Sequence, residues 1–307
     1  MQMINFRFTL ILSILFFSCQ PQVESTSASK SNCTETKGAL LGSRFNSFEA
    51  LNKSIQIEYK KDGNPKVIIT HDCSGHKIKS ILEKGISEKD FKNVSSSSFV
   101  DKVILAIKMP YLVIHQAELR RVYWLARRRG DLFGENDKAF YDIALALTDD
   151  LILNNADTIN PRDLSEKGYL NTFNHITAQA FITSMFSEEL ADFIADSHER
   201  ANMPELVTGE FTSEQIEDLN TGPLDNYVDI VNNEWGQEIG KKLKAKYNIN
   251  RHTVWDATLM QNFMNDIKTY CSWALQIEFK PSRLEDELLT KFANKINRTS
   301  KDIKASF

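Results

Sequence analysis

The chain has 307 residues, with 37 basic against 41 acidic side chains, a net charge of −4, 42% hydrophobic and 25% charged residues. A slightly acidic balance argues against nucleic acid as a partner, which needs a basic surface. The composition excludes a disordered or fibrous chain and suits an ordinary globule, long enough for one large domain or two unequal ones.

The first segment reads as an export signal. Arg7 is the only charge before Glu24, and Phe8 to Phe17 is apolar apart from Thr9 and Ser13. Such a run is too short to span a bilayer, which takes ~20 apolar residues, but it fits the apolar core of a signal peptide. It closes on Ser18-Cys19, a small residue followed by the cysteine that a bacterial lipobox requires. Residues 1–18 are therefore expected to be a lipoprotein signal and Cys19 the lipidated residue, with the membrane as its partner. Gln20 supplies no inner-membrane retention cue, so the expected location is the cell envelope, at the outer membrane rather than the inner. Residues 19–37 are rich in Ser, Thr, Gln, Glu and Lys without periodicity, which is the composition of a flexible tether.

Residues 38–97 form a small α/β region. Ser54 to Tyr59 alternates with period two, Lys66 to Thr70 is β-branched, and Asp62-Gly63-Asn64-Pro65 between them supplies turn chemistry, so a hairpin is expected. His71-Asp72-Cys73-Ser74-Gly75-His76 has no zinc-ligand spacing and reads better as a turn. Cys33 and Cys73 bracket the hairpin and are candidates for a disulfide in an oxidising compartment. Cys271, in a helical pattern, reads as a buried thiol. Spacing alone leaves the pairing open. Ser95 to Ser98 reads as a linker.

Residues 98–307 are expected to be a helical domain, making the fold mainly α, a multi-helix domain preceded by the small hairpin-containing region. Phe99 to Met109 is apolar at helical spacing, Pro110 ends or kinks it, and Tyr111 to Arg129 continues, with Arg127-Arg128-Arg129-Gly130 reading as the cationic end of a helix. Further helices are expected over Phe140–Asn154, from near Ser165, over Asp225–Tyr247 with Asp225 as N-cap, over His252–Gln276 and over Leu284–Ile296.

Polar residues cluster where burial is expected in three of these helices. Phe173, Ile176, Ala180 and Ser184 share a face, with Asn174 and His175 beside it. Leu190, Ile194 and His198 are spaced i, i+4, i+8 after Ser187, an N-cap, so His198 is expected to point inward beside Glu199. In the third helix Val228, Val231, Trp235 and Ile239 make a core stripe. Next to it Asp229, Asn232 or Asn233, Gly236 and Gly240 make a stripe of small and polar residues. Glycines and asparagines are poor helix formers, so their presence predicts needed amides and a second backbone packed against the glycines. The candidate site is thus His175, His198, Glu199 and Asp229 as catalytic residues, with Asn174, Asn232 and Asn233 as substrate-binding amides. His175, His198 and Asp229 form an open ligand set for a divalent metal, and without a metal the same groups suit acid–base work.

The pieces Phe173-Asn174-His175, Ala191 through His198-Glu199, and Asp229-Ile230-Val231-Asn232-Asn233-Glu234-Trp235-Gly236 also resemble, in order, the pattern of an uncharacterised domain of secreted bacterial proteins and polymorphic-toxin termini. The resemblance covers about a quarter of the chain and implies a mostly helical fold with a polar cluster at these positions; it carries no reaction. Two readings stay open. One is an envelope-facing, metal-assisted hydrolase-like protein. The other is a non-catalytic lipoprotein that binds a protein or envelope component, its polar cluster being architectural.

Overall fold

Alternation with period two builds a three-stranded antiparallel sheet. In the computed structural model, which describes residues 44–61, 63–73, 76–90, 104–105, 107–153, 161–208 and 210–302, a short helix α1 (Phe48–Asn52) leads into β1 (Gln56–Lys60) and β2 (Lys66–Cys73). These pair as the expected hairpin, Ile57 opposite Ile69 and Tyr59 opposite Val67, around a turn in which Gly63 takes a left-handed φ of 78°. A third strand, β3 (His76–Glu83), pairs with β2 so that Cys73 faces His76 and Val67 faces Leu82. His71 to Cys73, read from sequence as part of a turn, is therefore strand. Val67, Ile69, His71 and Cys73 of β2 and Ile78, Ser80 and Leu82 of β3 point into the core. Cys73 is disulfide-bonded, with its partner outside the described residues, and Cys271 is a buried free thiol. The signal segment, Cys19, the tether, Cys33, the Ser95–Ser98 linker and residues 99–103 and 106 also lie outside the described residues, while 104–105 and 107–108 of the expected Phe99–Met109 helix are helical.

Helices make up the rest: α2 (Pro110–Ile114), α3 (Gln116–Ala126), α4 (Gly130–Phe133), α5 (Phe140–Asp149), α6 (Asn171–Met185), α7 (Glu188–Glu199), α8 (Glu205–Thr208), α9 (Ser213–Glu217), α10 (Pro223–Lys246), α11 (Ala257–Leu275) and α12 (Glu287–Asp302). Short strands β4 (Leu151–Ile152) and β5 (Glu278–Phe279) pair with each other. Several boundaries differ from expectation for local reasons. Pro110 starts a helix, where its missing N–H costs nothing. The helix ends at Ala126 with Arg127 as its extended C-cap residue, and Arg129 is the N-cap residue of α4, so the cationic run sits just past the helix end and not in its last turn. Arg128 makes a two-point pair with buried Asp142 and Arg129 one with Asp131. Pro223 opens α10 with Gly222 before it, so Asp225 lies within the first turn and is not the N-cap. Ser187 does cap α7, accepting from Leu190 N at 3.2 Å. Among the described residues no helix is long and apolar enough to cross a membrane.

One apolar core joins sheet and helices, Val67, Ile69 and Leu82 belonging to the same buried cluster as Phe173, Phe181, Trp235 and Phe263. At the junction Trp235 Nε1 donates to His71 Nδ1 at 3.1 Å. Burial holds the His71 pKa down at about 4, so that ring is a neutral acceptor.

The deepest contact is between α6 and α10. A Cβ at Gly236 would lie 2.7 Å from Ile176 O and from Gln179 Cβ, and one at Gly240 would lie 2.7 Å from Ala180 O and from Thr183 Cβ. The same order on both helices means that they run parallel. The expectation that a second backbone packs on these glycines is met. Gly236→Ala and Gly240→Ala should each destabilise by ~1–3 kcal/mol, because the strain of overpacking against backbone outweighs alanine's helix propensity of about 1 kcal/mol. Urea unfolding measures this, and a stabilised Gly236→Ala variant would refute the close approach.

Candidate metal centre

The parallel arrangement puts polar side chains of the two helices in register, 58 positions apart and one turn between rungs. Lys167, just before α6, donates to Asp225 Oδ2 at 2.6 Å. Asn171 Nδ2 donates to Asp229 Oδ1 at 2.7 Å, His175 Nδ1 meets Asn233 Oδ1 at 2.9 Å, and Gln237 Nε2 approaches Gln179 Oε1 at 3.5 Å. Residues four apart share a helix face, so this pattern repeats along one seam.

Around the middle rungs three ligand-type groups converge. One ligand atom each from His175, Glu199 and Asp229 lies within 4.8 Å of the others. His175 Nε2 is 3.4 Å from Asp229 Oδ2, their side chains being 13% and 10% exposed. Asn233 organises the group. Its Nδ2 donates to Glu199 Oε1 at 3.2 Å, which turns its oxygen to His175 Nδ1. A carbonyl oxygen accepts, so Nδ1 carries the hydrogen and Nε2 is the nitrogen that faces Asp229. A bare lone pair there would repel the carboxylate, and a proton or a metal cation between them removes the repulsion. Each group is thus held by one atom through an amide of Asn171 or Asn233, the outer-shell arrangement that orients metal ligands.

Burial makes the cluster hungry for positive charge. Glu199 is buried, and desolvation, with Asp229 adding to it, holds its pKa well above the usual carboxylate range, although the Asn233 hydrogen bond works the other way. Desolvation and the Asp229 charge push Asp225 up to about 6 despite Lys167. On the far side of Glu199, burial and the neighbouring Asp192 raise Asp196 to about 7 against the pull of Arg200, whose Nη2 donates to it at 2.6 Å. Glu234 is raised to about 8, chiefly by burial and then by Asp192. Unpaired buried carboxylates protonate when no cation is present.

A cavity of about 430 Å³ opens beside the cluster, with His175, Glu199, Asn233, Asn174 and Gln179 among its lining residues. Asn174 is therefore at the cavity without joining the triad. Two of the expected site residues are placed otherwise. His198 borders the cavity but stays outside the triad, half exposed, with its Nδ1 paired to Glu88 Oε2 at 2.8 Å. The buried face of α7 carries Leu190, as expected, but continues through Ala191 and Ala195 to Glu199, while Ile194 is only partly buried and His198 is exposed. Glu199 takes the place expected for His198 in the ligand set. Asn232 is fully buried in the helix interface, its Nδ2 directed at Thr172 Oγ1 at 3.5 Å, away from the triad. Asn171 was missed, although it stands one turn before His175 as Asp229 stands one turn before Asn233.

These pKa shifts give stability a definite pH dependence. A carboxyl group that holds its proton more tightly when folded contributes most below the unfolded value near 4 and loses that contribution as pH rises through its folded value. His71 acts in the opposite sense, losing its contribution only as pH falls below about 6.5. Between about pH 7 and 8.5 the raised carboxyls dominate, with the buried Cys271 thiol adding in the same direction at the upper end, so metal-free protein should show a falling Tm across that interval. Glu234→Gln, which removes the group titrating near 8, should flatten the fall in a thermal-melt series. A Tm that rises with pH over the same range would contradict the assignment.

Compared with protein-family models, with curated proteins and with solved structures, the chain matches none.

Proposed function

We propose that the chain is a divalent-metal-dependent, hydrolase-like protein whose ion is held by His175, Glu199 and Asp229. The observation that carries this is the convergence of one imidazole and two carboxylates from three helices, each braced by an amide, at the edge of a cavity. One nitrogen and two oxygen donors suit Zn²⁺ or Mn²⁺ better than a thiophilic ion. The chemistry such an ion supplies is Lewis-acid polarisation of a carbonyl or phosphoryl oxygen.

The chain's own residues do the positioning. Asn233 fixes the His175 tautomer and, with its other end, holds Glu199. Asn171 holds one oxygen of Asp229 and leaves the other turned to His175. Glu199 keeps a proton while the ion is out and yields it when the ion enters, so uptake is coupled to proton release. Asn174 at the cavity is placed for a polar substrate atom. The apolar run at Phe8–Phe17 followed by Cys19 supports placing this domain at the cell envelope on a lipid anchor, which directs the activity to envelope components.

The second reading, a binding lipoprotein with an architectural cluster, draws support from the ladder itself, since Lys167–Asp225 and Gln179–Gln237 lie on the same seam without facing the triad. One experiment separates the two. Chelator-treated protein titrated with Mn²⁺ or Zn²⁺ in a calorimeter should take up one ion per chain with proton release, and should gain about 2.7 kcal/mol of stability at a free ion concentration a hundredfold above Kd. His175→Ala and Asp229→Ala should each weaken uptake by about tenfold or more, at the scale of disrupted metal shells. Absence of stoichiometric uptake in folded wild-type protein would leave the architectural reading standing.

A further inference from the structure

Among the described residues, the wall of the cavity carries one Lys or Arg side chain, Arg127, and it is placed with unusual care. Of the three consecutive arginines, Arg128 is engaged with Asp142 and Arg129 with Asp131. The Arg127 side chain makes no hydrogen bond or ion pair with any described residue, and it borders the same cavity as His175 and Glu199. Its backbone, by contrast, is pinned. Lys295, 2% exposed, donates from Nζ to Arg127 O at 2.8 Å, to Lys138 O at 2.6 Å and to Asp137 Oδ2 at 2.7 Å. The same Asp137 oxygen accepts from Arg129 N at 2.7 Å. A buried ion pair is expensive to desolvate, and this one fixes the backbone of an extended stretch whose first member, the exposed Arg127, borders the cavity.

The rest of the wall is mixed: Val122, Ala126, Ala178, Ile182, Ile194 and Ala195 supply apolar surface beside the polar groups of Tyr141, Gln179 and His198. A volume of about 430 Å³ lies within the range of small-molecule sites. We propose that Arg127 is a specificity-determining residue that receives the anionic group of a small amphiphile, a carboxylate or phosphate separated by an apolar body from the end that reaches the His175–Glu199–Asp229 centre. This deepens the metal-dependent reading above and rests on it for the second end of the ligand. Arginine is the suitable residue, because its planar fork bonds either anion at two points and stays charged at every relevant pH.

The test uses the full chain and three probes of similar shape: 4-phenylbutyrate, 3-phenylpropyl phosphate and the neutral 4-phenylbutyramide. Calorimetric titration of wild-type protein should show at least one anion binding about tenfold or more tighter than the amide, in keeping with a charge-assisted two-point hydrogen bond. Whichever anion leads identifies the headgroup. Arg127→Gln should abolish the preference, and Arg127→Lys should retain part of it. Mn²⁺ uptake by Arg127→Gln should equal that of wild type, which shows the variant folded and the centre intact. Equal binding of anions and amide by wild-type protein, or a preference that survives Arg127→Gln, overturns the proposal, as does the absence of binding by both anions. The metal reading is judged apart, by Mn²⁺ uptake in wild type against His175→Ala; an Arg127-dependent anion preference without that uptake would retain the anion site and remove the metal.

Discussion

The approach of α6 and α10 across Gly236 and Gly240 is the constraint on which the rest depends. The polar rungs on that seam use short side chains, Asn171 to Asp229 and His175 to Asn233, at 2.7 and 2.9 Å. Such side chains meet only if the two backbones come closer than ordinary helix packing, at 8–10 Å between axes, allows. Glycine is the residue that permits it, at a cost in intrinsic helix stability of about 1 kcal/mol each. The surrounding aromatics, Trp235 on the sheet side and Phe173 and Phe181 on the other, are fully buried and offset that cost through the apolar surface they remove from water.

The second organising fact is an imbalance of charge. Glu199, Asp225, Asp229, Asp196 and Glu234 gather along the N-terminal half of α10, and Lys167 and Arg200 are the cations that bond to them, at Asp225 and Asp196. Where burial outweighs pairing, as at Asp196, the group keeps its proton near neutrality. The region thereby holds protons at neutral pH that a divalent cation, on the reading proposed above, would displace, and occupancy would then be linked to stability and pH.

Much of this is visible in sequence, and the residues show why some is not. The helical class, the hairpin and the glycine contact follow from periodicity and from the cost of Gly and Asn inside a helix. The triad was nearly legible: His175, Glu199, Asp229 and Asn233 stand out as polar groups on buried faces. His198 is not legible in this way because the i, i+4, i+8 row from Leu190 drifts off the buried face by its third member, and the row from Ala191 through Ala195 to Glu199 stays on it. Asn232 and Asn233 are adjacent, and only the rotation of α10 against α6 decides which one reaches the cavity. β3 was overlooked although Ile78, Ser80 and Leu82 alternate, because the His-Cys-His segment drew attention to metal spacing. The backbone at Arg127 is held by Lys295, 168 positions away, and no local pattern reports such a contact.

Asn233 carries a further consequence. An amide has a donor end and an acceptor end, and here one end addresses an acid and the other a base. The pair it joins is therefore defined by polarity and not by position. An aspartate at 233 would keep an acceptor for His175 but set a second oxygen against Glu199, and a leucine of similar shape would serve neither. Among side chains of that length only asparagine carries a donor at one end and an acceptor at the other, so residue 233 is the most narrowly specified position of the cluster.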